Sequence, residues 1–310
     1  MYIMLSNRKW YQLTLVGIAV LLELGYRAAG AQPAAATSAE RSAGTLREKH
    51  ASLNYALANN SYGRPLSLDS VQTSNRVTGN AYAVLDAPFA TVSSIKTPQA
   101  LCDLIILHIN TKYCRPTLKA SPSVLMVNFG KKTAQALTDT FALEFAMTTT
   151  ASSSSFLQVS LNAEKGPLGT SNYGIEVAAI PLPEGKTFLH LRYSYGFGLA
   201  GRMAMQAYLS TAGSSKVGFT QVADASQNNK VYVGGMRGAV ERNTMRYYLA
   251  IEAYSQSLNE PQAERQNARL EKWFDSTEQY PLQLHETDKA SYLAMKKDEI
   301  ARQQSALPGP

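Results

Sequence analysis

From Arg76 to Leu85 apolar and polar residues alternate, and further strand-like runs, several with the same two-residue period, follow over 123–128, 138–147, 156–162, 174–180 and 187–195. A period of two sends successive side chains to opposite faces, and a short apolar run bounded by turn signals also suits a strand, so each run predicts one. In "TFLHLRYSY" Leu189, Leu191, Tyr193 and Tyr195 share one face, while His190, Arg192 and Ser194 share the other. That alternation belongs to an antiparallel sheet with one wetter side, because the strands of a parallel sheet are buried on both faces. Turn-forming stretches, "EKGPLGTSN" and "PLPEGK", separate the later runs.

The period then changes. Between about Gly238 and Leu258 the residues Val240, Thr244, Tyr247, Ile251, Tyr254 and Leu258 recur at spacings of four and three, which draws one apolar and aromatic stripe along a helix. Shorter helical segments are expected after Asp86-Ala87-Pro88, through about Leu107, and from about Leu199 to Ala212. Past Asn259 the chain becomes charged and helical, with a break at Tyr280-Pro281. Residues 32–65 are rich in Ala, Ser, Asn and Gly and read as a flexible linker with one short helix near Leu46 to Leu57. The pattern therefore divides the chain into a patterned α+β domain at 66–258 and a charged helical extension at 259–310. The extension is expected to be dispensable for folding.

The N-terminus predicts export. Arg8 and Lys9 precede the apolar run Leu13 to Leu22, and Ala29-Gly30-Ala31 offers the small residues of a cleavage site. Residues 1–31 thus read as a signal peptide, since the run is shorter than the roughly 20 residues that span a bilayer. A periplasmic or secreted location follows, with no transmembrane anchor after cleavage. Cys102 and Cys114 suit an oxidising compartment, where an isolated pair reads as a disulfide, with two unrelated thiols as the alternative. One continuous helix would hold them about 18 Å apart, so a turn is expected at His108 to Thr111.

Composition excludes more than it assigns. The formal charge is +7, but lysines and arginines are interspersed with acids, so nucleic acid is not an expected partner. Gly196-x-Gly198-x-x-Gly201 matches a dinucleotide fingerprint in letters only, because an alternating strand precedes it where a buried parallel one is required. Its glycines are expected to turn the chain and let a helix approach its neighbour. No nucleophile elbow, metal-ligand cluster or cofactor motif is evident, and no catalytic or metal-binding residue is assigned. A hydrolase-type site assembled from distant segments stays open.

Tyr193, Tyr195, Phe197, Met203, Met205, Tyr247 and Ile251 read either as core or as the lining of an apolar ligand cavity. Arg192, Arg237, Arg242 and Arg246 read either as donors to a ligand's carboxylate or phosphate or as a solvated face paired with Glu241 and Glu252. The order of elements, with a first strand, short helices, a run of antiparallel strands and a striped last helix, resembles the helix-grip architecture of the START-related and pollen-allergen-like lipid-binding proteins. That resemblance covers about Arg76 to Leu258 and implies a curved antiparallel sheet packed against a long C-terminal helix around an apolar cavity. It also implies a hydrophobic small molecule or lipid as partner. The helix near 199–212 departs from the pattern. The charged C-terminal helices suggest, as an alternative, docking on an envelope protein.

Overall fold

The computed structural model describes residues 37–117, 123–210, 216–224 and 229–305, so the leader lies outside the described residues. A first helix, α1 (Ser38–Ala58), precedes strands β1 (Leu66–Gln72) and β2 (Arg76–Leu85). Short helices α2 (Phe89–Val92) and α3 (Pro98–Ile105) lead into β3 (Thr111–Thr117), β4 (Val124–Phe129), β5 (Phe141–Ser152), β6 (Leu157–Lys165), β7 (Thr170–Pro181) and β8 (Thr187–Phe197). Helix α4 (Leu199–Ser210) and a small hairpin, β9 (Gln221–Asp224) with β10 (Asn229–Tyr232), come before the long α5 (Gly235–Ser257). Three helices follow: α6 (Arg265–Thr277), α7 (Pro281–Leu284) and α8 (Lys289–Ser305).

The eight large strands form one antiparallel sheet in the order β1-β2-β8-β7-β6-β5-β4-β3. Helix α5 packs on β1, β2 and β8 at one end, while α3 packs on β3, β4 and α5, so the sheet wraps round its helices. This is the helix-grip arrangement expected from the order of elements. Gly79 shows how closely the grip is held: a Cβ there would collide with Thr244 Oγ1 on α5, so a side chain would push the helix off the strand. Because β8 is antiparallel to both β2 and β7, the Gly-x-Gly-x-x-Gly string follows no parallel strand. Gly201 instead rests on the backbone of Gly169, where a Cβ would meet the carbonyl oxygen at 2.5 Å.

Helix α3 starts where proline and a hydroxyl favour it, with Pro98 in its first turn and Thr97 accepting from the Ala100 amide. It ends at Ile105, the chain turns, and β3 brings Cys114 back to Cys102 with Cα atoms 5.2 Å apart. The two cysteines are bonded. Closing a loop of this length is worth about 3 kcal/mol in the chain-entropy model. Replacing both by serine, Cys102→Ser with Cys114→Ser, is expected to lower stability by about that amount in denaturant melts. Unchanged melts would contradict it.

The structure departs from the sequence reading in three places. The stretch read as a linker holds the 21-residue α1, whose Ala43, Leu46 and Leu57 cluster with Phe156, Ile180 and Phe188 on the outer side of the sheet. The helix starts where Thr37 and Glu40 cap each other's backbone amides, and it has an apolar surface to cover. Helices α6 and α8 are not a separate extension: Leu270, Trp273, Phe274, Tyr292 and Ile300 belong to the same core as the sheet. Most of their charged residues mark the solvent side of helices whose other side is buried, with Lys296 and Glu299 of α8 as buried exceptions. Finally, β1, β3, β9 and β10 are strands that no two-residue period predicts.

Candidate functional site

The inner face of the sheet carries a row of rings. Tyr193 and Tyr195 point inward from β8, and Tyr173 of β7 stacks on Tyr195 with centroids 5.3 Å apart. Tyr193 meets Tyr247 of α5 at 5.5 Å, and His108 stacks on Tyr247 at 4.9 Å. Asn243, one turn before Tyr247, lies 3.3 Å from His108 Nε2. Phe197 and Ile251 are buried in the same core. At this level the space expected as a cavity is occupied by the side chains themselves.

The electrostatics of the row follow from burial. Burial pushes the phenols of Tyr193, Tyr195 and Tyr247 upward, and adjacent tyrosines reinforce it. Burial, with the charges of Arg246 and Lys296, holds His108 well below the ordinary histidine value. The row is thus neutral near pH 7 and suited to stacking and hydrogen bonding. Beside it lies a charged knot. Glu286 receives Arg246 at 2.7 Å and Lys132 at 2.7 Å, with Lys216 at 4.0 Å. Burial alone would raise its carboxyl, but Arg246 and Lys132 outweigh burial and hold it below the usual range.

The sequence-derived candidates therefore separate. Tyr193, Tyr195, Phe197, Tyr247 and Ile251 come together inside, and Met205 packs partly buried against them. Met203 is exposed on α4 and lines nothing inside. Arg192 stands on the opposite face of the sheet from Tyr193, partly exposed and 3.3 Å from Glu176, because strand alternation sends it there. Arg242 is buried, and its guanidinium donates to the Val217 carbonyl at 3.2 Å. The two acids expected beside these arginines serve other groups: Glu252 holds Arg64 at 2.5 Å, and Glu241 accepts from the Phe219 amide at 2.6 Å.

An open groove of about 710 Å³ lies where α4, the β9–β10 hairpin and the start of α5 meet. Leu209, Val222, Val231, Tyr232, Val233 and Met236 give it apolar walls, and Gln72, Gln206 and Arg237 supply polar edges. Glu241 fixes its base. The carboxylate accepts from Ser70 Oγ at 2.5 Å and from the Phe219 and Thr220 amides at 2.6 and 2.9 Å, tying α5 to β1 and to the chain entering the hairpin. Arg237 Nε donates to the same Ser70 hydroxyl at 3.0 Å. The sequence gives no sign of this groove because the hairpin strands are four residues each, too short for a two-residue period to register. Among the described residues no cluster of acids, histidines and cysteines could hold a metal ion, and no helix is long and apolar enough to cross a membrane.

No family model matches the chain, and no curated protein matches it. Solved structures are similar to it at low identity. Norcoclaurine synthase from Thalictrum flavum matches at 10% identity and a TM-score of 0.33, over 46% of this chain and 90% of that one. Human StAR-related lipid transfer protein 5 matches at 10% identity and a TM-score of 0.28, over 51% and 84%. A conserved protein of unknown function from Enterococcus faecalis matches at 7% identity and a TM-score of 0.32, over 76% and 92%. Scores this low transfer no ligand and no reaction. The helix-grip description rests on the strand order and on α5 lying across the sheet.

Proposed function

We propose that this chain is an exported binding protein for a hydrophobic small molecule of lipid type, and that the groove between α4, the hairpin and α5 admits the ligand. The observation that carries the reading is the groove itself, about 710 Å³ with mostly apolar walls, at the end of a core rich in aromatic rings. Binding sites of this kind are concave and apolar with a few polar groups that set orientation. Gln72, Gln206 and Arg237 are such groups here. The leader pattern and the Cys102–Cys114 bridge support a periplasmic or secreted setting.

Uptake of a fluorescent fatty acid tests the proposal, together with native mass spectrometry of protein purified from its own host. Val231→Arg places a charge on the groove wall at a partly exposed position, so the fold should survive. Uptake is expected to fall about tenfold, the effect of roughly 1.4 kcal/mol. Equal uptake by the variant would remove the groove as the site. Absence of uptake and of co-purified lipid would remove the reading. Docking of the C-terminal helices on an envelope protein is not carried further, because the apolar residues of α6 and α8 named above face the core.

A further inference from the structure

Nine large apolar side chains are prominently exposed among the described residues, and five of them gather at one end of the molecule: Leu168, Leu199, Met203, Val231 and Tyr232. Three segments carry them. Leu168 sits in the turn between β6 and β7, Leu199 and Met203 lie one helical turn apart on α4, and Val231 and Tyr232 stand at the base of the hairpin, where β10 runs into α5 beside the groove. The segments are held together, since Gly201 of α4 rests on Gly169 and the far end of α4 shares the groove with the hairpin. Leu199 is 75% exposed and Met203 63%, so neither is needed to close the core.

Basic residues accompany each segment. Lys165 precedes the turn, Arg202 adjoins Met203, and Lys230 adjoins Val231. Lys165 and Lys230 are exposed, and Glu164 is the exposed carboxylate among the described side chains of these segments. Arg202 is held at the edge by the Ser74 carbonyl and by the Phe197 ring beneath it. A protein partner would be met by a continuous apolar face with a polar rim. Small apolar groups, each with a cation beside it, match a surface in which acyl chains lie under anionic headgroups.

We propose that this end of the molecule docks on an anionic lipid bilayer, with Leu168, Leu199, Met203, Val231 and Tyr232 entering the headgroup layer. The inference is independent of ligand uptake, although docking would set the groove against a source of lipid if both hold. Co-sedimentation with vesicles of phosphatidylcholine, alone or mixed with phosphatidylglycerol, tests it. The full chain and the compact unit Thr37–Pro310 are run in parallel, which separates this end from the apolar segment Leu13 to Leu22.

The unit Thr37–Pro310 is expected to sediment with the mixed vesicles and to release as salt rises. Leu199→Ser with Met203→Ser should weaken binding about tenfold, since affinity scales with the apolar area inserted. Lys165→Gln and Lys230→Gln should each weaken it about fivefold, the effect of one cation near an anionic surface. Circular dichroism confirms folding, and the charge variants still decide the matter if the apolar pair misfolds. No binding to mixed vesicles, or equal binding by all variants, overturns the proposal. So does a dimer that the Leu199→Ser, Met203→Ser pair converts to monomer without any vesicle binding. Vesicle binding without fatty-acid uptake keeps this inference and removes the carrier reading, and uptake without vesicle binding does the reverse.

Discussion

A chain ending at Leu258 is expected not to fold. The composition shift at Asn259 suggests a dispensable tail, but the helices beyond it supply Leu270, Trp273, Phe274, Tyr280, Leu284, Tyr292 and Ile300 to the core. Removing the interior part of one such side chain costs about 2 to 5 kcal/mol. Seven together match or exceed the whole stability of an ordinary domain, about 5 to 15 kcal/mol. Polar ties are lost as well. Trp273 Nε1 donates to the Arg246 carbonyl at 3.0 Å, and the Tyr292 hydroxyl donates to the Leu107 carbonyl at 2.8 Å. Near-ultraviolet circular dichroism and a thermal melt of the truncated chain would check this, with loss of tertiary signal and of a cooperative transition expected. A cooperative melt would mean that α6 to α8 only decorate a core that stands without them.

Glu299→Gln is expected to cost about 3 to 5 kcal/mol, because it strands two buried lysines at once. Lys112 and Lys296 have side chains 0% exposed, and Glu299 is 1% exposed between them. Its two oxygens accept from Lys112 Nζ at 3.0 Å and from Lys296 Nζ at 2.8 Å. Lys296 Nζ also donates to the His108 and Thr111 carbonyls at 2.9 and 2.7 Å, so the cluster fastens α8 to the turn that the disulfide closes. A buried charge left without its counter-charge has neither water nor partner to stabilise it.

The same cluster predicts the pH dependence. Burial lowers Lys296 to about 8 despite Glu299, and burial lowers Lys112 in the same direction. Between about 8 and the unfolded lysine value near 10.4, the unfolded chain binds the proton that the folded chain has lost. Stability contributed by Lys296 therefore rises with pH across that window and is lost as pH falls through about 8. In the Glu299→Gln variant the counter-charge is gone, so the rise should begin at lower pH. Denaturant melts in a series of buffers would show it. A variant as stable as the parent, with the same pH profile, would mean that water reaches these lysines.

How much of this is legible in the sequence depends on whether a signal is local. The alternation in β2 and β8 and the stripe on α5 are legible, since each is periodic over ten or more residues. Helix α1 is legible in part: Thr37 and Glu40 stand three apart, the spacing of a capping box, but the small residues around them read as linker. Strand β1 is hidden because its third inward residue is Ser70, which is buried only by virtue of Glu241, 171 residues later. Strand β3 is hidden by Lys112, a charge that no strand pattern places inside, and that is buried only because α8 returns Glu299 to it.

Of the candidate site, the inward positions of Tyr193 and Tyr195 follow from the period of β8, which also assigns Arg192 to the other face. That Tyr247 meets Tyr193, and that Met203 lies outside while Met205 packs inside, does not. By itself the sequence determined the antiparallel strands, the long striped helix and the turn between the two cysteines, because neighbouring residues set each of these. Only the tertiary structure decided that the ring row fills its own space, that the groove lies at the end of α5, and that the charged C-terminal helices complete the core. Each of these depends on burial, and burial belongs to pairs of segments far apart in the chain, which a local period cannot encode.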